Sequence, residues 1–380
     1  MSPTPACHVC GTGQLTHVPG LESFGRVTSD CRPWPTRASL FVCASCGCAQ
    51  KAVDDDWRLD AEALYSGYTI YHQSGGVEQT VFADTGAAAS RSERLLCCLF
   101  EQVSLPAAGR LLDVGCGNGA LLRAFHRHAP DWSLEGTERQ EMLADLQGLP
   151  GVSAVHAVAP ADVPGTFDLA SLIHVLEHIE APGAFASDLR ARLAPDGRLL
   201  IEVPDFHQNP FDLVIADHCT HFTQATASAL LRRAGFSLEV ATTDWVPKEL
   251  TLVAVPGEAD SRHEESDDAM DAATQALSWV SQVLAATKLL AAAGHMGVFG
   301  TSIAGTWLAA EVGEGVAFFV DEDPHRAGGT YLGRPIYHPR DVPADSDVFL
   351  ALSTRIAATV RERLLASGCT FRCHLPPADA

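Results

Sequence analysis

Leu111, Leu112 and Val114 form a short apolar run, the pattern of a strand covered on both faces of a parallel sheet. Gly115, Gly117 and Gly119 follow at once and predict a tight turn, and Ala120 to His128 then reads as a helix. The same alternation recurs downstream. Trp132 to Thr137 predicts a second strand that ends at Glu138, and Phe167 to Ile173 predicts another, leading into His174. Leu193 to Pro204 holds a Pro-Asp-Gly turn and a further strand. Residues 258–270 are acidic and polar, and an alanine-rich helical run continues to Ala293. Met296 to Phe299 is then a strand, Gly300 to Gly305 a second glycine turn, and Val316 to Asp321, Val348 to Ser353 and Val360 to Ala366 continue the pattern. Such alternation predicts two open α/β sheets.

The chain has 380 residues, enough for two or three domains. Its net charge of −21 argues against a nucleic-acid partner held through phosphates. By sequence no stretch reaches the apolar length of a membrane span and Met1 to Pro5 has no signal-peptide core, so the expectation is a cytoplasmic protein with no membrane partner. Six of the twelve cysteines lie in the first 48 residues, a distribution of metal sites rather than disulfides. Cys7-His-Val-Cys10 and Cys43-Ala-Ser-Cys46 are two knuckles, each followed by glycine. Together they make a closed set of four thiolates for one structural Zn²⁺; Cys31, Cys48 and His8 are left off the metal.

With Asp113 before it, the glycine turn resembles motif I of the class I S-adenosylmethionine methyltransferases. The later V-L-E-H of residues 175–178 and L-x-P-x-G of 193–197 occur in that superfamily in the same order, so the resemblance covers roughly residues 105–255. It implies S-adenosylmethionine as cofactor, held by Asp113, Gly115, Cys116, Gly117, Asn118 and Gly119, with Glu138 on the ribose hydroxyls. One part departs from the pattern. No acid follows His156 to hold the adenine amine, which leaves backbone groups or Asp162.

A cysteine module before such a domain, and a second glycine-turn domain after it, resemble the three-domain sugar C-methyltransferases of deoxysugar pathways. The implied fold class is α/β: a zinc-binding module at 1–62, a linker and helical lid at 63–104, and a Rossmann-like class I methyltransferase domain at 105–257. A linker and helix at 258–294 and a Rossmann-like α/β domain at 295–380 complete it. The segment Leu64 to Gly75 resembles that family's tyrosine-rich linker, which lies over the cofactor; it implies an active-site tyrosine at Tyr68 or Tyr71, with Ser74 beside the cofactor. Packing between domains is the other reading of these aromatics. Whether Gly300 to Gly305 holds a phosphate or only turns the chain stays open. The implied acceptor is a small molecule of the nucleotide-linked keto-sugar class.

Methyl transfer to carbon needs a base for a proton beside a carbonyl. His174 and His178, four apart, would share one face of a helix at the ligand-binding edge of the sheet, His174 as a cofactor or packing contact and His178 as a catalytic group. Asp217-His218-Cys-Thr-His221 resembles the family's segment carrying the base and its acid partner, so Asp217 is expected to orient His218, with His178 and His221 completing the catalytic set. Two departures fall where the sugar is handled. The family's tyrosine is replaced by Ile215, and its later H-G-G-S-L-R motif is absent around Trp245 to Leu250. O-methylation of a sugar or natural-product intermediate is therefore the alternative, and a non-catalytic S-adenosylmethionine-binding protein a more distant one.

Overall fold

In the computed structural model, residues 6–68, 77–78, 80–82, 88–260 and 268–378 are described. The central sheet has seven strands: β1 (Arg110–Val114), β2 (Ser133–Thr137), β3 (Val152–His156), β4 (Phe167–Ile173), β5 (Leu193–Pro204), β6 (Phe236–Thr242) and β7 (Glu249–Pro256). Their order in space is 3-2-1-4-5-7-6. The first five are parallel, and β7 and β6 run antiparallel at one edge. Chain direction across the sheet reverses between β1 and β4, the switch point outside which a doubly wound sheet binds its ligand. The helix α1 (Ala120–His128) leaves the β1 turn with Leu121, Leu122, Ala124 and Phe125 buried, and His126, Arg127 and His128 stand in its last turn against the helix dipole. The strands and helix predicted for this domain are present within one or two residues of their expected ends, whereas in the carboxy-terminal domain the strand Asp347–Leu350 stops three residues before Ser353 and the closing helix starts at Thr354 instead of Val360.

The amino-terminal cysteines lie on a four-stranded sheet whose members are Leu15–Val18, Leu40–Cys43, Ala49–Lys51 and Thr220–His221. The last of these comes from the central part of the chain. It pairs antiparallel with Ala49–Lys51, Thr220 opposite Gln50 and His221 opposite Ala49, so a boundary at 62 does not separate the module from the central domain. A helix at Asp55–Ser66 also runs through that boundary; Asp54 caps it by accepting from the Trp57 N–H.

The carboxy-terminal sheet has six strands, with a parallel core around Met296–Phe299. The helix Ala269–Ala293 links it to the rest. One apolar core joins Leu40 and Val42 of the first sheet, Phe211 and Val214, Leu277 and Val280 of this helix, and Val298 and Trp307 beyond it. The Trp307 indole N–H donates to the Gly25 carbonyl at 3.0 Å and its ring stands edge-on to Phe24. The first and last thirds of the chain thus fold against each other, burying apolar area worth about 25 cal/mol per Å². By length and composition the helix could cross a membrane, contrary to the sequence expectation. Here Ala273, Leu277, Val280, Val283 and Thr287 make it a core helix.

Candidate active site

The turn after β1 takes the left-handed backbone that glycine tolerates: φ is +66° at Gly115, +56° at Gly117 and +76° at Gly119. A Cβ on Gly115 would stand 2.7 Å from Val175 Cγ2, so the turn is also pressed against the loop after β4. Asp113 is buried at the end of β1. Burial pushes its carboxyl up to about 7, although it accepts a hydrogen bond from Ser171 Oγ at 2.7 Å. Glu138 follows β2, where its Oε2 accepts the Gly117 N–H at 2.8 Å and its Oε1 the Arg139 N–H at 2.9 Å. The carboxylate is therefore bound to the turn, and neither Glu138 nor Gly119 lines the adjacent cavity. Asp113, Gly115, Cys116, Gly117 and Asn118 line one wall of a cavity of about 600 Å³; Asp162 does not line it.

The loop after β4 corrects one expectation. His174 and His178 do not share a helical face: His174 stands at φ +54° directly after β4, and His178 ends a single 3₁₀ turn, Leu176–His178. His174 Nδ1 is 3.2 Å from Glu177, and its Nε2 is 3.3 Å from Glu202 and 3.8 Å from Glu249. Burial and the nearby Arg91 oppose its protonation, yet the three carboxylates raise it to about 9. His174 is thus held as a cation in an acidic cage on the cavity wall.

The second correction concerns the carboxylate partners. Asp217 does not hold His218. It holds His178, with Asp217 Oδ2 3.3 Å and the Asp217 carbonyl 3.1 Å from His178 Nδ1. Asp217 also accepts the Ser29 N–H at 2.9 Å and the Ser29 hydroxyl at 2.5 Å. The Tyr65 hydroxyl lies 3.1 Å from His178 Nδ1 and donates to Asp217 Oδ2 at 3.4 Å. Burial opposes charge on both members, but His178 and Ser29 keep Asp217 well below the usual carboxylate range, and Asp217 lifts His178 above the ordinary imidazole value. His218 is held instead by Asp212, whose Oδ1 lies 2.6 Å from His218 Nδ1 and whose Oδ2 lies 2.6 Å from His221 Nδ1. Against its burial, the two imidazoles hold Asp212 far below the carboxylate range.

His221 is the third correction. It is fully buried behind Asp212 and does not line the cavity, so it touches no ligand there. His178 and His218 do line it, with ring centroids 4.6 Å apart at 86°. His218 Nδ1 faces the Asp212 carboxylate, which leaves its Nε2 lone pair, whereas His178 Nδ1 lies against the Asp217 carbonyl, the Asp217 carboxylate and the Tyr65 hydroxyl, surroundings that favour its imidazolium. Glu177 offers an oxygen within 4.8 Å of both rings, so positive charge arising there faces a carboxylate. Tyr68 lines the cavity as expected, and the Arg139 guanidinium stands 5.8 Å over its ring; Tyr71 and Ser74 lie outside the described residues.

The opposite wall comes from the carboxy-terminal domain, including Gly300, Thr301, Ser302 and Arg326. At this second glycine turn Asp321 Oδ2 accepts the Thr301 N–H at 3.2 Å and the Thr301 hydroxyl at 2.7 Å. The chain's own carboxylate occupies these donors.

The four knuckle cysteines converge. Cys7 Sγ lies 3.5 Å from Cys46 Sγ, Cys10 Sγ lies 3.5 Å from Cys43 Sγ, and all four sulfurs are within 4.8 Å of one another. Tetrahedral zinc with Zn–S bonds near 2.3 Å needs sulfurs ~3.8 Å apart, so the donor set fits that ion. His8 is turned away, its Nδ1 2.7 Å from Thr220 Oγ1.

Ser29, Lys51, Tyr65 and Asp212 were not singled out by sequence reasoning. Asp212 carries the one signal that was there to find, a carboxylate six residues before His218. The other three reach the site from a different sheet and helix, and no spacing announces them.

A family profile described as a methyltransferase domain matches residues 88–240. The chain is 38% identical over 119 residues to trans-aconitate 2-methyltransferase of Acidovorax sp. (strain JS42), covering 30% of this chain and 45% of that protein. It is 32% identical over 100 residues to the mitochondrial ubiquinone biosynthesis O-methyltransferase of Schizosaccharomyces pombe (strain 972 / ATCC 24843), covering 24% and 36%. The matches span less than half the length of these two relatives. Among solved structures, CalO1, a methyltransferase in calicheamicin biosynthesis in its SAH-bound form, aligns with a TM-score of 0.36 and 24% identity over 44% of this chain and 54% of that one. Residues 88–240 form a methyltransferase domain of the class I S-adenosylmethionine-dependent type.

Proposed function

We propose that the chain is an S-adenosylmethionine-dependent methyltransferase that methylates a carbon of a nucleotide-linked keto sugar or a related small metabolite. The observation that carries this reading is one continuous cavity among the described residues. It runs from the β1 turn, past two histidine–aspartate pairs, to the second glycine-turn domain, which leaves room for an acceptor beyond a donor.

Bound along Asp113 to Gly119, the cofactor supplies an electrophilic methyl group on a sulfonium. The chain's own part is alignment and proton transfer. His218 Nε2 takes the proton beside the acceptor carbonyl, while Asp212 keeps Nδ1–H oriented and stabilises the imidazolium that forms. His178, raised by Asp217, donates from Nε2 toward the oxygen that becomes an enolate. Walls from three parts of the chain would surround the acceptor. The four cysteines would hold zinc and fix the fold of the sheet that carries Lys51 and meets His221; they do no chemistry.

O-methylation is the second reading. The same His218 can deprotonate a hydroxyl, and several of the similar curated proteins are named ubiquinone biosynthesis O-methyltransferases. Deuterium exchange separates the two. With S-adenosylhomocysteine in place of the donor, enzyme in deuterated solvent should exchange a C–H proton of a nucleotide-linked keto sugar. No exchange with any keto sugar, alongside methyl transfer to an oxygen, decides for O-methylation.

A further inference from the structure

Away from the cysteine knuckles, a second set of metal-ligating side chains comes together. Glu177 and His178 sit on the single 3₁₀ turn after β4, and His218 precedes the strand Thr220–His221. The Cys219 N–H donates to the Glu177 carbonyl at 2.9 Å, which holds the two segments side by side. One ligand atom from each of Glu177, His178 and His218 lies within 4.8 Å of the other two. Both imidazoles are braced from behind: His218 Nδ1 is 2.6 Å from Asp212 Oδ1, and His178 Nδ1 is 3.3 Å from Asp217 Oδ2. A carboxylate on Nδ1 orients the ring and makes Nε2 a stronger ligand. Glu177 is only 1% exposed. Its Oε1 stands 3.2 Å from His174 Nδ1, and its Oε2 has no hydrogen-bond partner among the described residues. A buried carboxylate oxygen is costly unless a cation or a water meets it.

We propose that Glu177, His178 and His218 form a second metal site, taking a divalent transition ion of the Zn²⁺ class through both Nε2 atoms and a Glu177 oxygen. Tetrahedral zinc with bonds of about 2.0–2.2 Å needs ligand atoms ~3.3 Å apart, an approach of at most ~1.5 Å from where these stand. Two imidazoles and one carboxylate suit zinc and its neighbours, whereas calcium and magnesium want oxygen alone. Both rings line the cavity, which gives the ion a way in, and three protein ligands leave it a fourth position for water. The ion and the acceptor proton compete for one lone pair. With zinc on Nε2, His218 cannot act as a base, so the ion is a reversible inhibitor of the chemistry proposed above. That consequence rests on the reading of His218 as the base; the site itself does not.

The test titrates Zn²⁺ into full-length protein carrying ¹⁵N-labelled histidine, with the knuckle cysteines already loaded with zinc and S-adenosylhomocysteine at saturation. Calorimetry should show one further equivalent. The Nε2 signals of His178 and His218, assigned through His178→Gln and His218→Gln, should move with it. Glu177→Gln and His178→Gln should each weaken that equivalent by more than about tenfold, and Asp212→Asn, which removes only the brace on Nδ1, by about 10- to 100-fold. Unchanged S-adenosylhomocysteine affinity identifies the variants that fold. The proposal is overturned by the lack of a further equivalent, or by one that keeps its affinity in the folded ligand variants. It is equally overturned if the equivalent vanishes in Cys97→Ser, because Glu93, Cys97 and His128 are the remaining donor set among the described residues. Deuterium exchange of a keto sugar should fall over the same zinc range, and exchange that continues with the ion bound overturns the inhibition. The zinc titration needs no acceptor, so a lack of exchange without zinc counts against the base reading alone.

Discussion

Replacing Gly115 by alanine tests the cofactor turn with a built-in control. The new Cβ meets two separate penalties. One is backbone: φ of +66° is left-handed and costs an ordinary residue about 1–2 kcal/mol. The other is contact: Val175 Cγ2 stands 2.7 Å from the added atom, closer than any methyl group accepts. Overpacking of this kind costs typically about 1–3 kcal/mol, because Val175 or the turn must shift. Val175 lies between His174 and Leu176, so a shift there also moves the histidine loop. If the turn gives way, the sum of about 2–5 kcal/mol appears as S-adenosylmethionine affinity lost by roughly 30-fold or more, at about 1.4 kcal/mol per factor of ten. Val175→Ala removes Cγ2 and leaves only Cβ, 3.9 Å away, an ordinary contact. The double variant should therefore recover the contact part and retain the backbone part, a loss of roughly 5- to 30-fold. Titration calorimetry with S-adenosylmethionine on wild type, both single variants and the double variant reads this directly. Wild-type affinity in Gly115→Ala refutes the placement of the cofactor on this turn. A double variant no better than Gly115→Ala refutes the steric account of it.

Further outcomes follow from the same geometry. Cys43→Ser should lower zinc content by metal analysis from about one per chain toward zero, and full retention would remove Cys43 from the site. Asp212→Asn should cut turnover by about 10²–10⁴-fold, since an amide cannot accept from both imidazoles; Asp217→Asn should cost less, and equal losses would contradict the division between the two pairs. His174 is raised in the fold to about 9 against an unfolded value near 6.5. The stability it contributes is therefore present below about 6.5 and lost as pH rises through about 9. The gap in melting temperature between wild type and His174→Gln should accordingly be widest near pH 6 and close above pH 9; a gap that is constant with pH would show the imidazole to be uncharged.

What the sequence made legible is what is local along the chain. The run from Leu111 to Gly119 announces strand, turn and helix because apolar spacing and left-handed glycines are properties of neighbours. The cysteine knuckles are legible for the same reason: two residues between thiols fix a turn. Partnership across the site was misread where sequence adjacency stood in for contact. Asp217 and His218 are neighbours, but one turns toward His178 and Ser29 and the other toward Asp212. The i, i+4 spacing of His174 and His178 suggested a helix, but the loop after β4 leaves the strand in a left-handed residue instead. His221 drew attention as part of a histidine-rich segment, yet its strand completes another sheet and buries it. Lys51 and Tyr65 enter from the amino-terminal third, brought in by long-range packing that no local pattern encodes.

The central claim is methyl transfer from S-adenosylmethionine to a small acceptor in the cavity between the two glycine-turn domains. The direct measurement incubates the protein with ¹³C-methyl-labelled S-adenosylmethionine and a panel of nucleotide-linked keto sugars and follows the product by NMR. The account predicts one acceptor that gains the label on a carbon beside its carbonyl, with His218→Ala abolishing the signal while S-adenosylmethionine still binds. A label found on oxygen would contradict the carbon reading, and no labelled product from any acceptor of the panel would contradict the claim itself.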